Sequence, residues 1–594
     1  MATDLATPRP PGVRHEQVIT TQVAAVLVLI GAAKGGPALF IAAVGAAILL
    51  AVTWLRSRGR WAFEWLAAGL RFGIRRRPAA TVLRLAVQGT QVSSVNLPGG
   101  QAAVLADDSG LTVLLELGDP AGLLADPGHE LAAPWELLPA DRRERPSCRV
   151  QLLLSGVPAP AVTTGTGPIP TSYRALAGSP ALGHSRAILA VRTLRDEGWS
   201  DAELRRTLTG LARRLTKRLA AQPLDTAAAM RTITDLTYAD PAAEVHEEWA
   251  ALRVGGLPQV TFHTSPEATA TPSAELLTGL LHLPVAATTV TLTADLPESG
   301  STDPPLISLA VRLVAQDQAA LEVAAASVQH MSAALRRLDG DHLRGLTATL
   351  PLAASGNPRQ ALQTWHTVRH SPATRPFGPL SLPAGWTGVV VGRNRHGHPL
   401  PLRLFRAEPT RMLLVGGLRC AQLLAFRSLA VGARVLVRTR RPREWVAFAR
   451  GTAAQDDSII LAPPGHPIEP PPGTPLRPLL TILDLGPADE AGAPARAGSG
   501  RPWEATVDLR QAFGDADVVT ATSADLVLLQ RLRADEADLV GAALGLGDVA
   551  RLLTRMRPGM VGVISHQAVR WATLSPTDVE KILIGDPSRS AGER

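Results

Sequence analysis

The chain has 594 residues, enough for two or three soluble domains besides any membrane segment. Apolar residues make up 46% and charged residues 19%, which fits a globular chain with a small membrane part and excludes a polytopic transporter. Sixty basic against 52 acidic residues leave a formal charge of +8, nearly all of it arginine, since Lys34, Lys217 and Lys581 are the only lysines. That balance suits anionic lipid or nucleic acid. The densest basic runs flank the apolar N-terminal segment, which favours lipid. Cys148 and Cys420 stand far apart with no Cys/His cluster, so neither a disulfide framework nor a zinc site is implied, and a reducing cytoplasm is consistent with this.

Residues 1–17 read as a short N-terminal tail. An apolar run then extends from Val18 to Ala33, and a second from Ala38 to Leu55, separated by the helix breakers Lys34-Gly35-Gly36-Pro37. A bilayer core takes roughly 20 apolar residues per helix. The runs are near the short end of that range, so 18–55 is expected to form a tight transmembrane hairpin. A cleaved signal peptide or a buried core hairpin would be the alternatives. Arg9 and Arg14 precede the first run; Arg56, Arg58, Arg60, Arg71, Arg75, Arg76 and Arg77 follow the second. By the positive-inside rule both termini are cytoplasmic, in a two-pass protein of the cell membrane. The pairs Ala42/Ala46 and Ala43/Ala47 have the small-residue spacing that lets helices approach in lipid.

Residues 56–78 follow as a basic amphipathic helix beside the membrane. Trp61, Trp65 and Phe72 share one face, which predicts aromatic rings at headgroup depth. The alternative is an ordinary core helix, because aromatic stripes are often core.

From 79 to 353 strands and helices alternate. Strands are expected at Thr81–Val87, at Gln101–Ala106 and Leu111–Leu117 around an Asp107-Asp108-Ser109-Gly110 turn, at Val150–Leu154 ending in Val157-Pro158-Ala159-Pro160, and at Ala187–Val191. Further strands are expected at Gln259–His263, Thr288–Ala294, Ile307–Val314 and Leu346–Leu350. Part of a short helix is expected at Trp135–Leu138, and full helices at Asp201–Ala221 and Asp317–Leu335. The alternation predicts an α/β layered region. Residues 354–383 are polar and proline-bearing and read as a linker. A second α/β unit, 384–594, carries strands at Gly388–Gly392, Met412–Gly417, Ala433–Arg438 and Leu479–Leu485, and a helix at Leu423–Ala430. Pro463–Pro478 is a proline-dense loop.

Several motifs in order resemble EccE, a subunit of the actinobacterial type VII secretion system. They are Gly59-Arg60-Trp61-Ala62-Phe63-Glu64-Trp65-Leu66 after the hairpin, Val150–Leu154 leading to Val157–Pro160, and Ser172-Tyr173-Arg174-Ala175-Leu176. His246-Glu247-Glu248-Trp249 follows, with Gly255-Gly256-Leu257 and Thr261-Phe262-His263. Leu335–Gly340 and Ala348-Thr349-Leu350-Pro351 complete the series. The Arg-, Ala-, Gly- and Pro-rich usage fits a high-GC actinobacterial genome. The resemblance covers roughly residues 15–355. It implies a structural membrane subunit that joins partners similar to EccB, EccC and EccD, with EccC as the ATPase. It carries over no catalytic residue.

Gly416-Gly417-Leu418-Arg419-Cys420-Ala421-Gln422-Leu423 follows a strand and opens a helix, as a phosphate loop does. The working motif needs a second glycine, a lysine for the β/γ-phosphates and a hydroxyl for magnesium. Ala421, Gln422 and Leu423 stand in those three places. Leu479–Asp484 has the outline of a Walker B strand without a following acid. The C-terminal unit therefore resembles an FtsK-like P-loop domain that has lost its chemistry; a plain α/β domain remains the other reading. His396 and His398 flank Gly397 and lack carboxylate support for metal. Asp339 and Asp341 read as turn residues. No catalytic, cofactor-binding or metal site is assigned, no cofactor is expected, and the chain is read as a non-enzyme. The alternatives are a membrane-anchored protein that binds nucleotide through a variant loop, and a nucleic-acid binder argued from charge alone.

Overall fold

A computed structural model describes residues 15–57, 60–75, 80–82, 84, 89–119, 122–124, 130–139, 145–196, 198–264, 273–296, 305–351, 368–369, 380–381, 387–452, 457–465, 468–486, 500–565 and 568–589. Arg9, Arg14, Arg58, Arg76, Arg77 and nearly all of the 354–383 linker lie outside the described residues.

Two antiparallel helices open the fold, α1 (His15–Lys34) and α2 (Pro37–Trp54). Gly35 and Gly36 between them take φ of 66° and 54°, so the chain reverses in two residues without a Cβ penalty. Pro37 opens α2, where a missing N–H costs nothing. The seam is built on small residues. Ala24, Ala42 and Ala46 are buried, and a Cβ on Gly31 would meet the Ala42 Cβ at 2.5 Å. Ala43 and Ala47 face outward, so only the Ala42/Ala46 pair of the two expected pairs packs the helices. At the open end Trp54 Nε1 donates to Thr21 Oγ1 at 3.3 Å. Among the described residues α2 alone is long and apolar enough to cross a membrane; the apolar part of α1, Val18–Lys34, is shorter. Helix α3 (Ala62–Ile74) follows, and the Ala62 N–H donates to Leu55 O at 2.9 Å, which ties its start to the foot of α2.

The first sheet contains β1 (Gln91–Leu97), β2 (Gly100–Asp107), β3 (Gly110–Glu116), β4 (Cys148–Ala159) and β5 (Ala181–Leu194). It continues with β6 (Glu244–Glu247), β7 (Leu252–Val254), β8 (Leu257–Thr264), β9 (Ala287–Asp295) and β10 (Leu306–Val314). The order is β6-β7-β8-β10-β9-β4-β5-β3-β2-β1. Every pairing along it is antiparallel. The strand–helix alternation thus builds an antiparallel sheet with helices laid on it, and no parallel crossovers. The β2–β3 turn sits where expected, with Asp107 opposite Gly110. Ser109 N donates to Asp107 Oδ1 at 2.8 Å. Gly110 has φ of 155°, and a Cβ there would strike Thr193 O at 2.1 Å. Helix α4 (Pro168–Ala177) precedes β5. Helix α5 (Asp201–Leu219) starts in a capping box, Ser200 N donating to Glu203 Oε2 at 2.9 Å. It buries Leu204, Leu208, Leu211 and Leu215 on the sheet at the expected helical spacing.

Four expectations need correction. Leu346–Leu350 is not a strand: α6 (His342–Ala348) is a helix there, laid on β8 so closely that a Cβ on Gly345 would reach Thr261 Cβ at 2.5 Å. A short apolar run has no readable period, so it fits either element. At Thr81–Val87, among the described residues, Ala80–Thr81 is a strand paired with Glu244 and Val245, while Val82 and Arg84 are helical; Leu83 and 85–87 lie outside the described residues. The Asp317–Leu335 helix is capped by Asp317 but ends at Met331, and Leu335–Arg337 turns back as a strand against β8. Strand β4 does not stop before Val157-Pro158; it runs on to Ala159 through a register shift.

The second sheet contains β11 (Val389–Arg393), β12 (Pro399–Leu402), β13 (Thr410–Val415), β14 (Arg434–Thr439), β15 (Ile459–Ala462), β16 (Leu479–Asp484), β17 (Glu504–Arg510), β18 (Leu526–Leu529), β19 (Met560–Ser565) and β20 (Ala568–Thr573). Their order is β12-β11-β20-β19-β18-β13-β17-β16-β14-β15. From β18 to β15 the strands are parallel, and β19, β20, β11 and β12 extend the sheet antiparallel. Helices α7 (Leu418–Ala430), α8 (Pro442–Thr452) and α9 (Asp578–Ile584) cover it. The helix before β5 belongs to this second core: Ile169, Tyr173 and Leu176 are buried among Leu424, Val431 and Val389. Tyr173 Oη donates to Gly388 O at 2.9 Å.

Candidate functional site

The parallel strands create one position where a ligand would be expected. Strand β13 is flanked by β17 and β18, but its crossover through α7 leads to β14, three places away. In open α/β sheets the crevice at such a reversal of strand order takes the ligand. The loop 416–423 lies at that crevice.

Both of its glycine N–H groups are already engaged. Gly416 N donates to Arg510 O at 2.8 Å, and Gly417 N donates to Gln530 Oε1 at 2.8 Å. A Cβ on Gly416 would sit 2.6 Å from Gln530 Oε1, so the side chain fills the space over the loop. Gln530 Nε2 in turn donates to Pro587 O at 2.7 Å, and Arg419 Nη1 reaches Asp586 O at 3.5 Å. The segment of Asp586 and Pro587 thus lies beside the loop. It is pinned by Arg589, which bonds Glu536 at 2.8 and 3.0 Å, and Arg589 holds that carboxylate below its ordinary range despite burial. Gln422, in the lysine place, donates to Glu444 O at 3.2 Å, and Leu423, in the hydroxyl place, is buried. Burial pushes the Cys420 thiol up to about 12, so it is no nucleophile.

Asp484, at the Walker B place, has a structural job. Its Oδ2 accepts from Thr439 Oγ1 at 2.8 Å, from Trp445 Nε1 at 3.0 Å and from Arg441 Nε at 3.2 Å. Arg441 Nη2 takes Oδ1 at 2.5 Å. Both carboxylate oxygens are thus held by the protein's own donors. Titrating the whole protein in detergent with Mg-ATP should therefore give no saturable heat in the micromolar range. A saturable heat that is lost in Arg419→Ala would show that the loop binds after all.

A second cluster gathers residues from three separate motifs of the N-terminal region. Trp249 lies 5.9 Å from Trp65 and 5.3 Å from Phe72, the latter edge-on. Gly340 closes its other side: its φ is 75°, a Cβ would come within 2.6 Å of the Trp249 ring, and its N–H donates to Trp249 O at 2.8 Å. Ion pairs frame the stack, Glu64–Arg336 at 3.6 Å, Arg75–Asp341 at 3.3 Å and Arg75–Glu247 at 3.8 Å. The aromatic face of α3 therefore packs on Trp249 in the β6–β7 turn at the edge of the sheet, and the expectation that Trp65 and Phe72 lie among lipid headgroups is corrected. What missed this was the pairing partner: nothing local to the helix says that Trp249 and Gly340 are shaped to receive it. Asp341 is a turn residue with an added role, since it fixes Arg75.

A cavity of about 320 Å³ lies between the two sheets, lined by Glu116, His184, Arg186, Arg403, Arg406 and Trp503 among others. Most of its charges answer one another. Arg186 donates to Glu116 at 2.9 and 3.0 Å, and Asp235 accepts from Trp503 Nε1 at 2.9 Å. His184 Nε2 donates to Pro475 O at 2.6 Å, and burial lowers its pKa to about 4, so it is neutral at pH 7. The His184–Pro475 and Asp235–Trp503 bonds fasten the first unit to the second, while the Arg186–Glu116 pair lies within the first sheet. His396 and His398 sit exposed in the β11–β12 turn, where Asn394 Oδ1 accepts from both of their backbone N–H groups. Among the described residues no group of three His, Cys, Asp or Glu side chains is arranged to hold a metal ion.

No protein-family model matches the chain, and no curated protein matches it. Solved structures do. The genome packaging NTPase B204 of Sulfolobus turreted icosahedral virus 2, in complex with ATP-gammaS, aligns at 11% identity over 28% of this chain and 96% of its own, with a TM-score of 0.21. The cytoplasmic domain of the Thermomonospora curvata type VII secretion ATPase EccC aligns at 14% identity over 34% of this chain and 31% of its own, with a TM-score of 0.24.

Proposed function

We propose that this chain is a structural membrane subunit of a type VII secretion complex, similar to EccE, anchored by the α1–α2 hairpin with both termini cytoplasmic. In this reading it scaffolds the inner-membrane assembly with partners similar to EccB, EccC and EccD, touches anionic lipid, needs no nucleic acid and is not an enzyme. The observation that carries it is the Trp65–Trp249–Phe72 stack. It locks the helix that leaves the hairpin onto the sheet, so the cytoplasmic portion is held at the membrane end of the molecule. The order of motifs resembling EccE supports the secretion context. The engaged glycine N–H groups of the 416–423 loop and the committed Asp484 weigh against the runner-up, a nucleotide-binding protein with a variant loop.

The test is recovery of the complex from native membranes by tagged purification and mass spectrometry. Trp61→Ala with Trp65→Ala should lower co-purified partners several-fold while the chain stays membrane-inserted. Arg419→Ala should leave recovery and secretion unchanged. Asp484→Asn is a poor probe of nucleotide chemistry, because it removes the anchor of Arg441 and Trp445. Secretion lost in Arg419→Ala with the complex intact would move the assignment to a nucleotide-driven role.

A further inference from the structure

We propose that Leu66, Leu70 and Ile74 form a lipid-contact face that seats α3 in the headgroup–acyl boundary of an anionic bilayer, back to back with the aromatic face that holds the sheet. The proposal rests on reading α1–α2 as a membrane hairpin, and it assigns lipid to the opposite side of the helix from the one the aromatic residues mark.

The three side chains recur every fourth residue, so they line one side of the helix. They are 61%, 66% and 72% exposed. Ala67, Gly69 and Gly73 beside them are also exposed, and a Cβ added at either glycine would meet nothing within 4 Å. No other part of the described chain covers this face. Leaving it in water is costly, since full burial of a leucine or isoleucine side chain is worth about 1.5–3 kcal/mol.

Two observations name the occupant. The first is continuity: α3 starts at the foot of α2 through the Ala62–Leu55 hydrogen bond, and exposed apolar surface runs from Ile48, Trp54 and Leu55 on to Leu66. The second is charge. Glu64, the acid of the helix, is paired with Arg336, whereas Arg71 is exposed and Arg75, though paired with Asp341 and Glu247, remains 44% exposed. A helix with an aliphatic face and arginines at its flank has the form of an interfacial helix. Each arginine near an anionic surface adds about 1 kcal/mol.

The experiment places single nitroxide labels in the full-length protein, reconstituted in phosphatidylcholine nanodiscs with and without phosphatidylglycerol. The native Cys148 and Cys420 are buried and stay unlabelled. Labels at Leu66→Cys, Leu70→Cys and Ile74→Cys are compared with Ala68→Cys on the packed side, Ile41→Cys in α2 and Arg205→Cys on α5. Oxygen, which concentrates in lipid, should relax the 66, 70 and 74 labels more than a water-soluble nickel chelate does, as at 41 and opposite to 205. Omitting phosphatidylglycerol should weaken this preference by about twofold. If 41 is lipid-exposed while 66, 70 and 74 favour the nickel chelate, the lipid face is wrong and the hairpin stands. If 41 also favours the chelate, the hairpin reading has failed and the proposal with it. Labels at 66, 70 and 74 shielded from both reagents would mean that protein covers the stripe, which also overturns it.

Discussion

Replacing Arg427 by methionine should destabilise the C-terminal unit by about 3–5 kcal/mol, because it strands a buried carboxylate. The Arg427 and Glu580 side chains are each 1% exposed. They are joined by two bonds of 2.8 Å. The remaining guanidinium hydrogens go to Leu574 O at 2.9 Å and to the carbonyls of Val390 and Val391. One side chain on α7 therefore ties β11, the residue after β20 and α9, elements drawn from distant parts of the sequence. Glu580 also accepts the Thr577 N–H at 2.8 Å, so it starts α9 as well as anchoring it. Methionine matches much of the volume but donates nothing, and it leaves one charge and several carbonyls dry. Removing both partners is a different matter: in Arg427→Met with Glu580→Met the uncompensated charge is gone, and most of the loss should return. Amide exchange in β11 and α9 reads this directly. Protection should fall by roughly 10²- to 10⁴-fold in the single variant and recover largely in the double. Wild-type protection in Arg427→Met would mean that the surrounding packing, and not the pair, holds these elements.

The sequence carries some of this plainly and some of it not at all. Helix α5 was readable because leucines at 204, 208, 211 and 215 repeat with the helical period. The β2–β3 hairpin was readable because Asp107-Asp108-Ser109-Gly110 joins two apolar runs, and the structure adds that a Cβ on Gly110 would strike Thr193 O. The loop 416–423 was locatable from a strand, two glycines and a helix, and its lack of lysine and hydroxyl was visible too. Its occlusion was not. Gln530 and Asp586 reach it from far along the chain, and a glutamine leaves no local pattern. The aromatic face of α3 was seen correctly and given the wrong neighbour. Periodicity identifies the buried side of a helix; it does not say whether lipid or protein does the burying. The contact of Trp249 with Trp65 and Phe72 settles that, and it is long-range from α3.

Trp249→Ala should release α3 from the sheet at a cost of about 3 kcal/mol, the low end for truncating a large aromatic side chain, since Trp249 is only half-buried. The Arg75–Asp341 pair cannot compensate. The Arg75 side chain is 44% exposed and Asp341 37%, and pairs this exposed contribute about 0–1 kcal/mol. Packing therefore decides whether the helix stays docked. Gly340→Ala approaches the same contact from the other side, through a backbone at φ of 75° and a Cβ that would press on the Trp249 ring at 2.6 Å. It carries both a left-handed backbone cost of about 1–2 kcal/mol and the cost of moving the ring. With the ring absent, only the backbone cost remains. The two changes should thus be less than additive, as expected of residues in direct contact. Amide exchange of α3 should rise in either single variant, while β13 and α7 keep their protection. If α3 keeps its protection in Trp249→Ala, the stack is not what fastens it, and the weight passes to the lipid face of the helix or to a partner. If the double variant is fully additive, the ring and the glycine do not share the contact drawn here.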